Sequence, residues 1–216
     1  MPAMPERPRT LERPSTKVKE AATLIYNALK KDYGSKISPS SPESNSTELI
    51  TISDVKLSYA ADKTVFKNVT IKIRVIERET MVMVKICVYG KPNDNDDEKV
   101  EVEVQRLLTY INFGMLYGTF EMKPVTANRS IDAIPPGTIR YRRSVTVPHT
   151  NIPSVGEMVK EAVDKGCDIV ACFSAMIESV RTGGYSQEKA IVRLLGRIKD
   201  SDFYRNKVME CFDDEF

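Results

Sequence analysis

The chain has 216 residues, enough for one domain with flanking segments or for two small domains. Its 32 basic and 30 acidic side chains leave a net charge of only +2, which does not favour a nucleic-acid partner, because proteins that hold a nucleic-acid backbone usually show a clearer basic excess. Hydrophobic residues make up 41 % of the chain, a globular profile, and no apolar run reaches the about 18 residues of a membrane-spanning helix.

Three segments of different composition precede the main domain. Residues 1–15 contain four prolines among arginines and glutamates, which predicts an extended tail, because proline fixes φ and removes a hydrogen-bond donor. Residues 16–34 repeat apolar side chains every three or four positions, after a capping Ser15 or Thr16 and before a stop at Gly34, and therefore predict a helix. Residues 35–47 are rich in Ser and Pro and predict a polar linker.

Three strand candidates follow, at residues 49–59, 65–77 and 79–90. Their side chains alternate between apolar and polar, weakly in the first strand and clearly in the second, which predicts an antiparallel meander. Both faces of the third strand are fairly apolar. That pattern predicts a position in the middle of the sheet, covered on both sides.

The third strand also carries a candidate ligand groove. Met81 and Met83 project from the face opposite the valines, and Tyr89 ends the same strand. Methionine side chains adapt to irregular apolar partners. A groove for a small apolar ligand or a peptide is therefore an alternative to burial in a second core.

A dense acidic loop, residues 91–98, precedes the second predicted helix, residues 97–113. Its alternating acids resemble a calcium loop but lack the central glycine and the distant glutamate of that motif. Acids at the start of a helix oppose the partial positive charge of its free N–H groups. This explanation is favoured over a metal site.

Two further strands, at residues 116–122 and 137–147, are joined by a Pro-rich connection, residues 124–136. Both strands alternate; in the first, Leu116 and Phe120 are expected on one face. This connection is longer than a tight turn, and it is either a recognition loop or a tolerated insertion.

These strands also carry a family resemblance. The motifs are Tyr-Ile-Asn-Phe at residues 110–113, Tyr-Gly-Thr-Phe-Glu at residues 117–121, and Gly-Thr-Ile-Arg-Tyr-Arg at residues 137–142 followed by a Val-x-Val strand. Together they resemble the YbjN family, over roughly residues 65–195. The resemblance implies the fold of type III secretion chaperones, which dimerise and bind extended segments of client proteins. It implies no enzymatic activity.

The C-terminal third predicts two helices and a tail. Residues 150–182 show the broadest apolar face of the chain, with Ser154 as the capping residue, and residues 186–198 repeat the pattern. Residues 200–216 form an acidic-aromatic tail. The predicted order is therefore α-β-β-β-α-β-β-α-α, an α+β domain over residues 48–199 with an antiparallel five- to six-stranded sheet and helices mainly on one face.

Catalytic chemistry finds little support in the sequence. His149 is the single histidine, and the four cysteines match no zinc spacing. No phosphate-binding or dinucleotide motif occurs. We therefore assign no catalytic, metal or cofactor residue. The N-terminus has no apolar stretch typical of a signal peptide, so we expect a cytoplasmic protein and leave an organelle open.

A basic row is the candidate contact site. Arg140, Arg142 and Arg143 follow one another on the last strand, and Arg129 precedes them in the connection. Such a row suits acidic peptides as well as nucleic acid. The sequence thus predicts a protein-interaction or chaperone-like module, binding a protein partner or a second copy through the sheet face and helices. A nucleic-acid or anion binder is the alternative, and a binder of small apolar ligands is a weaker one.

Overall fold

The computed structural model describes residues 15–40, 47–57, 66, 68–90, 98–123 and 137–200. The predicted N-terminal tail apart from Ser15, nearly all of the acidic loop, the connection 124–136 with Arg129, and the C-terminal tail after Asp200 lie outside these residues.

The described elements confirm the predicted α+β class, with helices and strands in the expected order. The helices are α1 (Thr16–Tyr33), α2 (Glu98–Gly114), α3 (Val155–Arg181) and α4 (Gln187–Asp200). The strands are β1 (Ile37–Ser40), β2 (Thr47–Lys56), β3 (Asn68–Glu77), β4 (Met81–Tyr89), β5 (Thr119–Met122) and β6 (Ile139–Pro148). Strand β1 lies within the segment predicted as a linker and brings the sheet to six strands.

The sheet is antiparallel throughout, in the order β1-β2-β3-β4-β6-β5. Strand β4 therefore lies inside the sheet, as its two apolar faces indicated. The short edge strand β1 contains Pro39, which cannot donate a hydrogen bond to a further strand. Only one face of β4 is fully buried, and the second cover that the sequence suggested is not supplied by the described helices.

Helix α1 has the ends that its sequence predicts. The Ser15 hydroxyl accepts a hydrogen bond from the Val18 N–H at 3.3 Å, and Gly34 ends the helix with a positive φ of 54°. Its buried stripe, which includes Ile25 and Leu29, packs against α3 and the sheet. The narrow apolar stripe is thus covered within the chain itself.

The core lies between the helices and one face of the sheet. Alternate side chains of β3 and β4, from Val69 to Val75 and from Val82 to Val88, are almost fully buried, and the residues between them are half-exposed or exposed. Helix α3 lies between α1 and α2 and contacts both β4 and β6. The three helices α1, α2 and α3 therefore cover the buried face as one layer.

A buried aromatic cluster ties α3 to the last two strands. The Phe120 ring lies 5.3 Å from the Tyr141 ring and 5.8 Å from the Phe173 ring, in tilted and edge-on arrangements. Helix α3 continues through Gly166, where the sequence suggested a bend. A Cβ atom at that position would lie 3.2 Å from the Tyr141 ring, so glycine permits the close approach of helix and strand.

Strand β5 begins three residues later than the sequence predicts. The Asn112 side chain donates to the Phe120 carbonyl at 2.8 Å and accepts from the Phe120 N–H at 2.7 Å, which closes a turn before the strand. Gly118 has a φ of 79°, which favours glycine. Leu116 and Tyr117 consequently lie in the turn and are exposed, and Leu116 does not share a buried face with Phe120.

None of the described helices combines the length and the apolar character that crossing a membrane requires.

Candidate functional site

No described helix covers the sheet face opposite the helix layer. We call it the open face. Strand register identifies its side chains, because every second residue of a strand points the same way. They include Leu49, Thr51, Lys56, Thr70, Lys72, Arg74, Ile76, Met81, Met83, Lys85, Cys87, Tyr89, Thr119, Glu121, Arg140, Arg142, Ser144 and Thr146. All of these side chains are half-buried or exposed.

The open face is strongly basic. Among the side chains that strand pairing assigns to this face, Glu121 is the one acid; the exposed Asp54 lies in the bulge of β2 between Ile52 and Val55, outside the pairing. Six are basic: Lys56, Lys72, Arg74, Lys85, Arg140 and Arg142. The excess on this face is larger than the net charge of +2 of the whole chain, so acidic residues elsewhere hide it in the composition. A concentrated positive surface attracts anionic partners.

Two of these basic residues face each other without an acidic partner. Arg74 on β3 lies directly opposite Lys85 on β4. Like charges directly opposite each other destabilise a sheet. No ion pair joins either residue to an acid within the described part of the chain. Lys72 lies two residues along β3 from Arg74. Cys87 on β4 lies opposite Lys72, and Arg142 on β6 lies opposite Cys87, so these three side chains form a second row across the strands.

The predicted arginine row is divided between the two faces of β6. The guanidinium groups of Arg140 and Arg142 both bind Glu121, at 2.6 and 3.0 Å. Arg143 points to the opposite face, where its guanidinium lies 5.1 Å from the centre of the Tyr117 ring. Only Arg140 and Arg142 therefore belong to the open face, and Arg129 lies outside the described residues.

The neighbours of Arg140 stabilise its positive charge. Burial alone would lower its pKa, but hydrogen bonds and charge attraction from Glu121, together with the hydrogen bond to Tyr89, outweigh burial and raise it. For Tyr89 burial acts in the other direction and raises the pKa to about 12, with a further contribution from the nearby Cys87 and an opposing one from Arg140. The two side chains therefore stay in their usual charge states, guanidinium and neutral phenol, at neutral pH.

The predicted apolar groove is not assembled as one site. Met83 lies opposite Ile76, and Met81 is two residues along β4 toward the sheet end, so these three make an apolar strip. Tyr89 lies six residues from Met83, about 20 Å along the strand. Its ring faces the Lys72 ammonium, 5.6 Å from the ring centre, within the basic part of the face.

Two side chains suited to covalent chemistry, Cys167 and His149, are partly buried. Burial raises the pKa of the Cys167 thiol to about 12, with further contributions from Asp164 and Asp168, so the nucleophilic thiolate is scarce at neutral pH. The Nε2 atom of His149 is buried and has no hydrogen-bond partner in the described structure. The described residues contain no group of three His, Cys, Asp or Glu side chains arranged to hold a metal ion.

Comparison of this chain with protein-family models, curated proteins and solved structures found no match.

Proposed function

We propose that this chain is a non-enzymatic protein-interaction module of YbjN type, and that its open face binds an acidic segment of a protein partner. The observation that carries the proposal is the excess of six basic side chains over one acidic side chain among those that strand pairing assigns to a sheet face that no described helix covers. A chaperone-like role in the cytoplasm is part of the same proposal.

The spacing of the basic groups suits an extended polypeptide. Rows of open-face side chains lie about 7 Å apart along the strands, which is also the distance between alternate residues of an extended chain. A segment lying along the strands could present one carboxylate to Arg74 and Lys85 and the next to Lys72 and Arg142. Charge-assisted hydrogen bonds of this kind are stronger than neutral ones.

The apolar strip adds a second requirement for the partner. Ile76, Met81 and Met83 are half-buried and adjoin the Arg74–Lys85 row. Burying such side chains on binding contributes about 25 cal/mol for each Å² of apolar surface removed from water. The preferred ligand is therefore an acidic segment with an apolar side chain at one end.

Nucleic acid fits this face less well. Proteins that bind single strands without sequence preference combine positive charge with aromatic rings on which bases stack. Tyr89 is the single aromatic residue on the described part of the open face, and its ring faces Lys72. Two copies of the face would also repel each other, which favours a different protein over self-association through this surface.

The test is binding of three labelled probes to the full-length protein. The probes are a 12-residue peptide of alternating Glu and Ser with Leu at one end, the same peptide with Gln for Glu, and a 12-nucleotide single-stranded RNA. The variant Arg74→Glu/Lys85→Glu is compared with Lys17→Glu/Lys19→Glu, which changes the net charge equally at exposed positions of α1. Fluorescence anisotropy at low salt gives the affinities.

We expect the acidic peptide to bind the protein and the open-face variant to weaken that binding by about tenfold or more, while the α1 variant retains it. Equal binding of the Glu and Gln peptides would refute the proposal. Equal weakening by both variants would show that only net charge matters. Tighter binding of RNA than of the acidic peptide would favour the nucleic-acid alternative.

A further inference from the structure

A second exposed surface lies on the other side of β6, at the turn between α2 and β5. It consists of Phe113, Leu116 and Tyr117, which we call the apolar platform. Phe113 is 91 % exposed, Leu116 53 % and Tyr117 50 %. Single exposed apolar side chains are ordinary, but three within five residues, one of them almost fully in water, form a patch of the kind that marks interaction sites.

The platform is held in place by its backbone. Two hydrogen bonds join Asn112 to Phe120, and the buried Tyr141 hydroxyl donates to the Tyr117 carbonyl at 2.8 Å. Gly118 packs so closely that a Cβ atom there would lie 2.7 Å from the Arg142 carbonyl oxygen. The apolar side chains are therefore presented on a fixed turn, and a ligand that binds them does not have to order it.

A cation with an unused donor borders the platform. The Arg143 guanidinium lies over the Tyr117 ring, and its Nη1 atom is buried without a hydrogen-bond partner in the described structure. Glu161 is close enough for Arg143 to contribute to its lowered pKa, after the larger effects of the hydrogen bond and charge of Lys165. The Glu161 carboxylate binds Lys165 at 2.9 Å, so Nη1 remains free for a further carboxylate.

Helix α4 runs toward the platform. It begins beside α2, where the Gln187 N–H donates to Glu103 at 3.4 Å. It then runs back along α3, because Ala190 and Leu194 line one cavity with Ser179 and Cys172 of that helix.

The C-terminal end of α2 lies beside the same part of α3, near Cys172 and Phe173. Asn112 is bound to Phe120, whose ring contacts Phe173. Helix α4 therefore ends, at Asp200, toward the end of the helix layer that carries Phe113.

We infer that residues 212–216, Phe-Asp-Asp-Glu-Phe, dock on the apolar platform of their own copy, with a phenylalanine against Phe113 and Tyr117 and a carboxylate on Arg143. The segment supplies a complement to each part of the site: aromatic side chains for the exposed rings of the platform and negative charge for Arg143. The 12 residues from 201 to 212 can span about 40 Å, so their length permits the contact. This inference is independent of the open face and of any partner bound there.

The docking is tested by photo-crosslinking in the full-length protein. p-Benzoylphenylalanine replaces Phe113, and mass spectrometry maps the residues that it captures in a mixture of isotopically heavy and light copies. The matched control places the same group at Val102, which is exposed on α2 about 16 Å away along the helix. Two variants accompany the crosslinker: Phe212→Ser/Phe216→Ser, and Arg143→Gln.

We expect position 113, but not position 102, to crosslink to residues 201–216 within one copy. The Phe212→Ser/Phe216→Ser variant removes the aromatic contact with the platform and should lower the crosslink yield by about tenfold. The Arg143→Gln variant removes the ion pair with the carboxylate and should lower the yield severalfold. Crosslinks to other segments, or an unchanged yield in the Phe variant, would overturn docking. Heavy–light crosslinks would overturn docking within one copy. None of these outcomes involves the open-face residues.

Discussion

Replacing Lys85 by glutamate is expected to stabilise the folded protein while removing a contact that we propose for the partner. Lys85 lies directly opposite Arg74. Two unit charges about 6 Å apart in water interact with about 0.7 kcal/mol, which 0.1 M salt screens to about 0.4 kcal/mol. Lys85→Glu changes this repulsion into an attraction, so the free energy of unfolding should rise by about 0.8 kcal/mol.

Urea denaturation in low and high salt measures the effect, and a double-mutant cycle isolates it. Lys85→Gln removes only the repulsion and should stabilise by about half as much. Arg74→Glu should stabilise like Lys85→Glu, whereas the two changes combined restore a like-charge pair and should cancel the gain. At 1 M salt the gain in the free energy of unfolding from Lys85→Glu should fall to about 0.2 kcal/mol.

Two results would refute this reasoning. A loss of stability in both single variants would mean that Arg74 and Lys85 have acidic partners in the free protein. A gain that persists at 1 M salt would mean that the effect is not electrostatic. If the prediction holds, the open face has a stability cost that binding of an anionic partner would offset, as is expected of a functional surface.

Two further predictions concern the core side of the sheet. Asn112→Ala should lower the free energy of unfolding by about 2 kcal/mol, because it leaves the Phe120 N–H and carbonyl without their partner. Urea denaturation measures the loss, with the exposed Thr109→Ala as the control. Equal losses in the two variants would contradict the prediction. Cys167, whose pKa burial raises from 9.0 to about 12, should react with a disulfide reagent at pH 8 about a thousandfold more slowly in the folded protein than in urea. Because the folded pKa is the higher one, the stability that the neutral thiol contributes is complete below pH 9 and is lost as the pH rises toward 12. Peptide mass spectrometry of the labelled thiols measures the rate, and equal labelling in both states would contradict the burial of Cys167.

Local sequence patterns predicted most of the elements. Ser15 and Gly34 mark the two ends of α1 because capping and positive φ depend on side chains next to the helix. The alternation of Val69–Val75 and Val82–Val88 identified the buried faces of two strands, since a period of two is a property of the strand itself. The start of β5 was placed too early because Leu116 continues the alternation, although the hydrogen bonds of Asn112 close the turn first.

The two candidate surfaces depend on contacts between elements that are distant in sequence. The sequence alone already separates Arg140 and Arg142 from Arg143, because neighbouring residues of a strand point to opposite faces. It does not place Arg74 opposite Lys85, since strand register is set by tertiary packing.

The amino-acid sequence predicted the helices and the strands other than β1, their order and the face of each that avoids water, because these follow from local periodicity. It did not predict β1, a four-residue strand within the Ser- and Pro-rich segment, because that strand pairs with β2 without a periodic pattern of its own. The pairing of the strands places basic side chains from β2, β3, β4 and β6 on one uncovered face. The packing of β6 against the turn before β5 places Arg143 beside the exposed Tyr117. Both arrangements arise when strands pair and helices pack, and neither leaves a local signal in the sequence.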